Sequence, residues 1–260
     1  MAELNGVPAD VEQIKALALY NYGHFTSMRV DDHRVRGLSL HLERLTRDCQ
    51  KVFDVELDPD RVRYLVRHVL ADKSGPLVVR VTVFDSALEL AHPGADAEPQ
   101  VLVTTRPVAE SPPPPLRVQS TYHRRELPEV KHVGLFGLVR ERRLAQRNGF
   151  DDALLTDARS NVAEGATWNI GFFDGERIVW PEADCLRGVT MTLINQAHSG
   201  NTATAPVSLA EASEMRAVFA TNAAVGVRAI STIDGTQWTD IASIISVLRK
   251  EYDELPAGKL

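Results

Sequence analysis

The sequence predicts a mixed α/β fold of the α+β kind, built as two sub-domains, and three observations carry that prediction. Helical stripes and β-branched runs are interspersed along the whole chain. A run of four prolines, Pro112-Pro113-Pro114-Pro115, separates two blocks of such elements. A length of 260 residues lies at the upper edge of one domain or makes two modest ones, and either can bury a full core.

The first block reads as a small α+β domain over residues 1–107. Residues 17–22, Gly23 and residues 25–30 resemble a hairpin arm. Residues 38–53 place Leu38, Leu42, Leu45, Cys49 and Val52 on one helical stripe. Asp58 is placed to cap a second helix over residues 62–71, stopped by Ser74-Gly75-Pro76. Residues 77–84 and 101–105 are β-branched runs suited to buried strands.

Residues 108–116 hold the prolines, which favour a stiff extended stretch poor in hydrogen-bond donors, so they are expected to link the sub-domains. The larger second block, residues 117–260, opens with an Arg-rich helix over 135–149, ended by Gly149, and a short strand over 153–156. Residues 169–173 and 178–180 flank the turn dipeptide Asp174-Gly175 and read as a hairpin. Residues 188–197 read as a helix entered from glycine. Strands are expected at 217–221 and 225–230, a turn at Asp234-Gly235, and a closing helix over 238–251.

Composition narrows the function. A net charge of −6 argues against a nucleic-acid surface. No apolar run approaches the ~20 residues that span a bilayer, and Met-Ala-Glu-Leu-Asn-Gly lacks the basic and apolar regions of a secretory signal. Cys49 and Cys185 do not pair as CxxC, and the eight histidines are scattered, so neither a disulfide framework nor a metal site is expected. A cytoplasmic protein acting on small molecules, with no nucleic acid, membrane or metal, is the expectation.

Four features bear on chemistry. The only lysine between Lys73 and Lys250 is Lys131, in Pro128-Glu129-Val130-Lys131-His132 at an expected strand end before a helix. Lysine can lose its proton and attack a carbonyl carbon, which arginine cannot; a Lys-poor composition is the plainer explanation. Glu164 interrupts the small, apolar segment Asn161-Val162-Ala163-Glu164-Gly165-Ala166. A buried carboxylate needs a partner, either a protonated ring nitrogen or a nearby arginine. In His41-Leu42-Glu43-Arg44-Leu45, Arg44 lies beside the apolar stripe, where its planar fork can grip a phosphate or simply snorkel to the surface. In Leu186-Arg187-Gly188-Val189-Thr190 a glycine precedes a helix start, leaving backbone N–H groups and the Thr190 hydroxyl for an anion, unless this is an ordinary loop-to-helix junction.

Taken in order along the chain, Arg, Lys, Glu and Gly-x-Thr resemble the class IV aminotransferases, the fold-type IV pyridoxal-phosphate enzymes. Branched-chain and D-amino-acid aminotransferases and aminodeoxychorismate lyase belong to that superfamily. The resemblance runs from Tyr22-Gly23-His24-Phe25-Thr26-Ser27 to Thr232-Ile233-Asp234-Gly235, and includes residues 150–157 and Asn169. It implies two α/β sub-domains with the cofactor at their junction, the second being the larger cofactor-binding one, and a homodimer. The cofactor is pyridoxal 5'-phosphate, bound as a Schiff base to Lys131, with Glu164 at the pyridine nitrogen. Arg44, Gly188, Val189, Thr190, Asn222 and Ala223 are implied to hold it.

The implied function is transamination of an amino acid or amine. The alternative is 4-amino-4-deoxychorismate lyase, which releases pyruvate and 4-aminobenzoate; a further one is an idle pyridoxal-phosphate-binding protein. Phe219-Ala220-Thr221-Asn222-Ala223-Ala224 looks like the lyase, whereas the glycine-rich loop usually found after the strand of Arg80 is replaced by Phe84-Asp85-Ser86-Ala87. Phe136 stands where branched-chain enzymes carry a tyrosine that touches the cofactor. Arg29 and Arg80, and beyond them Arg124 and Arg125, are candidates for a substrate carboxylate.

Overall fold

Valines at positions 78, 79, 81 and 83 give one strand branched side chains on both faces, and all four are buried. The computed structural model describes residues 2–108, 113–239 and 242–260. Contacts divide the chain into unit 1, comprising Met1–Val108, Val130–Gly134 and Pro256–Leu260, and unit 2, comprising Ala109–Glu129 and Leu135–Leu255. The short segment that carries Lys131 therefore groups with the first hundred residues.

Unit 1 begins with β1 (Ala2–Leu4), β2 (Val7–Pro8), α1 (Val11–Tyr20), β3 (His24–Val30), β4 (Arg34–Arg36), α2 (Leu38–Phe53), α3 (Pro59–Leu70), β5 (Leu77–Phe84) and β6 (Gln100–Pro107). Its antiparallel sheet has the order β2-β1-β6-β5-β3. One face of the sheet, with Met28, Val79, Val81, Val83, Val101 and Val103, forms a core with Leu45, Cys49, Val62 and Val66 from α2 and α3. The helix expected over residues 38–53 is α2, and Asp58 caps α3 by accepting the Asp60 N–H.

The hairpin arm expected at residues 17–22 is instead the end of α1. Asp10 and Gln13 form a reciprocal capping box that starts this helix, and Asn21 ends it in the left-handed conformation. Alternation of Leu and Tyr near the helix end mimics a strand, while the start signal lies seven residues upstream of Leu17. Gly23 then brings the chain so close to β5 that a Cβ would lie 2.6 Å from the Val83 carbonyl oxygen.

Unit 2 holds β7 (Leu116–Tyr122), α4 (Phe136–Arg147), β8 (Asp152–Thr156), β9 (Val162–Gly165), β10 (Asn169–Phe173), β11 (Arg177–Pro181), α5 (Val189–Ala197), β12 (Asn201–Ala205), α6 (Leu209–Ser213), β13 (Ala217–Asn222), β14 (Gly226–Ile233), β15 (Thr236–Gln237) and α7 (Ala242–Glu254). Its nine-stranded sheet runs β12-β11-β10-β13-β14-β7-β8-β9, with β15 on β14. β9 returns against β10 and β11, so the sheet curls on itself. Phe172, Trp180, Phe219, Ile230 and Leu248 lie in its main core.

The hairpin over residues 169–180 forms as expected, pairing Phe172 with Val179. The closing helix does not begin at Trp238. That indole donates to the Met215 carbonyl at 2.8 Å, while the Trp238 N–H bonds Ser231 in β14, so Trp238 packs as a strand-side anchor. Of the proline stretch, residues 109–112 lie outside the described residues; Pro114 accepts Arg228 Nε at 2.6 Å. Finally β16 (Ala257–Lys259) pairs antiparallel with β4 and places Leu260 in the unit 1 core. No described helix is long and apolar enough to cross a membrane.

Candidate active site

In unit 1 the polar side chains gather on the sheet-facing side of α2. His41, Arg44 and Asp48 recur at helical spacing among Leu38, Leu42, Leu45 and Cys49, and all are buried. Arg44 Nη2 donates to Thr26 Oγ1 on β3. The Thr26 hydroxyl, which has both a donor hydrogen and a second lone pair, also bonds His41 Nδ1 at 2.7 Å. Burial, followed by the charges of Arg44 and Lys131, holds the His41 pKa well below its ordinary value. Arg44 is thus aimed by a buried chain, and the snorkelling alternative fails because its side chain does not reach outward.

Lys131 lies outside the named strands. Its segment bridges to β3 through His24 and His132. The Phe25 N–H donates to the Lys131 carbonyl and the Val133 N–H to the Gly23 carbonyl, each at 2.9 Å. The same segment is also held by α2: the Lys131 N–H donates to Asp48 Oδ2 at 2.9 Å. The ammonium nitrogen lies 4.9 Å from the centre of the Phe25 ring, and the Arg80 guanidinium stacks on the same ring at 3.6 Å. Arg80 donates to Thr82 at 3.2 Å, and burial lowers its pKa. Arg29, by contrast, closes a two-bond pair onto Asp31 at 2.9 and 3.2 Å.

In unit 2, Glu164 on β9 is buried, and the arginine that was one of its two expected partners is present. Its Oε1 accepts Arg125 Nη1 and the Leu186 N–H, both at 3.4 Å. Burial excludes water from both members of the ion pair, and the Arg125 charge with the Leu186 N–H offsets the cost of desolvating the carboxylate. The bond to Leu186 links Glu164 to the turn that opens α5. Asn169 clamps that turn, donating to the Leu186 carbonyl at 2.6 Å and accepting the Gly188 N–H at 3.1 Å.

Gly188 is the N-cap of α5, and no described side chain caps that helix. The Gly188 N–H is therefore engaged rather than open, contrary to expectation, and the donors left for an anion come from the first turn of α5. Glycine is required for contact, not for backbone angle: its φ is −73°, but a Cβ would lie 2.2 Å from Asn169 Oδ1. Thr190 is 1 % exposed and its hydroxyl finds no partner among the described residues; the same is true of Thr221 on β13. Two orphaned hydroxyls and an uncapped helix start fit an anion with several acceptor oxygens. Asn222 ends β13 and spends Oδ1 on its own turn, accepting the N–H groups of Ala224 and Val225 at 3.0 Å. It also lines a cavity of about 550 Å³ with Trp168, Arg142 and Arg228. Ala223 lies in the turn after β13, and Phe136, which opens α4, is 83 % exposed.

The family described as amino-transferase class IV matches residues 23–233. The chain belongs to the class IV aminotransferases. No curated protein matches it by sequence. Solved class IV folds are close in shape: the branched-chain aminotransferase of the archaeon Thermoproteus uzoniensis, with norvaline, superposes with a TM-score of 0.87 at 19% identity, covering 97% of this chain and 93% of that one. The T.th. branched-chain enzyme with pyridoxamine 5'-phosphate gives 0.86 at 19% identity, covering 97% and 92%. A hypothetical aminotransferase from Mycobacterium tuberculosis in its PLP-bound form gives 0.82 at 17%, covering 97% of each chain.

In this class IV chain the expected site residues fall into two sets. Arg44, Lys131 and Arg80 gather in unit 1, and Glu164, Gly188, Val189 and Thr190 gather in unit 2. The residue-level reading missed Thr26, Asp48 and Thr221, and it offered Arg125 for a substrate carboxylate, whereas Arg125 pairs with Glu164. Asp48 had a legible signal, a carboxylate four residues after Arg44 on an apolar stripe. Thr26 and Thr221 had none, because a threonine in a strand is indistinguishable from ordinary β-forming sequence.

Proposed function

We propose that this chain is a pyridoxal 5'-phosphate-dependent transaminase acting on an amino acid or amine, with Lys131 as the residue joined to the cofactor. What carries the reading is the orphaned Thr190 hydroxyl at the uncapped start of α5, a buried donor set that suits a phosphate. Solved relatives bound to PLP or pyridoxamine 5'-phosphate support the choice of cofactor. Arg44 and the Val189-Thr190 start of α5 would hold the phosphate, Gly188, Asn222 and Ala223 would belong to the rest of the cofactor site, and Glu164 would face the pyridine nitrogen. When bound, the ring supplies an electron sink for the charge left as a bond to the substrate carbon breaks.

The chain's own residues do the rest. Lys131 Nζ moves the proton at the substrate carbon that bears the amine. Glu164, steadied by Arg125 and the Leu186 N–H, keeps its negative charge facing the ring nitrogen. For a substrate carboxylate Arg80 is the better candidate, since the fork of Arg29 is already closed on Asp31. A homodimer in the cytoplasm is part of the same reading.

The test is labelling. The protein reconstituted with pyridoxal 5'-phosphate should be yellow, and borohydride followed by peptide mapping should place the phosphopyridoxyl group on Lys131. Label on another lysine, or none, sinks the assignment. A second reading, the aminodeoxychorismate lyase, is favoured by Asn222 at the end of β13. It predicts 4-aminobenzoate and pyruvate from aminodeoxychorismate with no keto acid present, whereas a transaminase stops after one turnover unless a keto acid is added. Labelled protein that turns over neither substrate set would be the idle binding protein.

A further inference from the structure

Asp48 is 0 % exposed, and the chemistry proposed above gives it no task. It lies one helical turn beyond Arg44 on α2, and its two oxygens face different partners. Oδ1 accepts Nε and Nη2 of Arg47 at 3.0 and 2.7 Å. Oδ2 accepts the backbone N–H of Lys131 at 2.9 Å. A buried carboxylate is costly to desolvate, and here half of it is spent on one peptide group of a segment that no regular strand contains.

Two elements hold the backbone around Lys131. The Lys131 carbonyl and the Val133 N–H are taken by β3 and the Gly23 carbonyl just before it, which leaves the Lys131 N–H directed at α2. Asp48 meets it there. The helix that presents Arg44 through the Thr26 and His41 chain therefore also grips the backbone of Lys131, four residues further on.

We propose that Asp48 is a positioning residue: its bond to the Lys131 amide locks the register between the Lys131 amine and the Arg44 guanidinium, so that both reach one cofactor at a fixed separation. This rests on the cofactor reading given above.

The closing experiment measures how fast pyridoxal 5'-phosphate joins Lys131. The lysine amine condenses with the aldehyde carbon, losing one water, and borohydride added at intervals delivers hydride to that carbon and fixes the link as a secondary amine. Asp48→Leu fills the space but removes all three bonds, and Asp48→Asn keeps an oxygen for the Lys131 N–H while deleting the charge. Misplacement of a reacting group by about 1 Å can cost roughly a hundredfold in rate. Asp48→Leu should accordingly label on the order of a hundredfold more slowly, and Asp48→Asn within about threefold of the unaltered protein.

Hydrogen exchange at the Lys131 amide should accelerate in the leucine variant and stay slow in the asparagine one. Labelling of Asp48→Leu at the unaltered rate overturns the proposal, as does Asp48→Asn labelling as slowly as leucine, which would make the charge and not the amide bond responsible. If Asp48→Leu does not fold, Asp48→Asn decides: fast labelling with a protected Lys131 amide supports the proposal, and anything else overturns it. Failure of the unaltered protein to label at all is a different result, and overturns the cofactor reading together with this one.

Discussion

Glu164 shares its burial with Arg125, and the pair gives the glutamate a structural and a chemical task at once. Glu164→Gln separates them. It keeps an oxygen for the Leu186 N–H but leaves the Arg125 charge without its carboxylate, so thermal stability should fall. Loss of one member of a buried pair typically costs about 3–5 kcal/mol, and at 3.4 Å the lower end is expected. If Glu164 also faces a ring nitrogen, turnover should fall by roughly 10²–10³ while the cofactor stays bound, because charge facing the reacting group is a large catalytic term. Stopped-flow absorbance with an amino donor measures the proton-transfer step. Lower stability with unchanged turnover would leave only the ion pair.

The pair also marks a limit of sequence reading at this scale. The buried glutamate was legible from its small, apolar neighbours, but its arginine partner lies 39 positions away. The chain's many other arginines were equally eligible by sequence. Choosing among them takes the path of the chain, since a guanidinium's partner depends on which strands meet.

Elements that position the site are legible where their signals are local. α2, β5 and the hairpin of β10 and β11 follow their periodicity and turn residues. α1 escapes because its capping box lies outside the window in which Leu17 and Leu19 imitate a strand. α5 is a helix entered from Gly188, as expected, but for a different physical reason: Asn169, from another strand, fills the space a side chain would need. Gly188→Ala tests that account. An alanine methyl at 2.2 Å from Asn169 Oδ1 forces the clamp open. Overpacking of this kind costs about 1–3 kcal/mol. Cofactor affinity, measured by fluorescence titration, should fall roughly tenfold or more with it, since the α5 start is tied to the same turn. Full affinity with lowered stability would show that the turn and the anion site are independent.

For the molecule as a whole, acid sensitivity has an identifiable source. His24 is 0 % exposed, and neither ring nitrogen finds a partner among the described residues. Burial lowers its pKa from 6.5 to about 3. The folded protein therefore keeps His24 neutral while the unfolded chain takes up a proton at its ordinary pKa. Between pH 6.5 and about 3 the unfolded state binds more protons, so stability falls as pH falls. The slope from this one group is at most about 1.4 kcal/mol per pH unit. His24→Leu should be at least as stable at pH 7 and lose about 1 kcal/mol per pH unit less between pH 6 and 4. Urea unfolding across that range measures it, and parallel slopes in the two proteins would reject the account. The α+β class and the family were both legible at this scale. The grouping of residues 130–134 and 256–260 with the first hundred residues was not, because long-range contacts leave no local periodicity to read.

That grouping bears on the order in which the protein can be completed during synthesis. Unit 1 is encoded first, yet its core includes Leu260, whose N–H bonds the His33 carbonyl at 3.0 Å, and its β4 pairs with β16. A growing chain emerges N-terminus first, so unit 1 waits with that pairing unmade and its core open while unit 2 is translated. All of unit 2 has been synthesised by the time residues 256–260 appear. The first unit to be made is the last that can close.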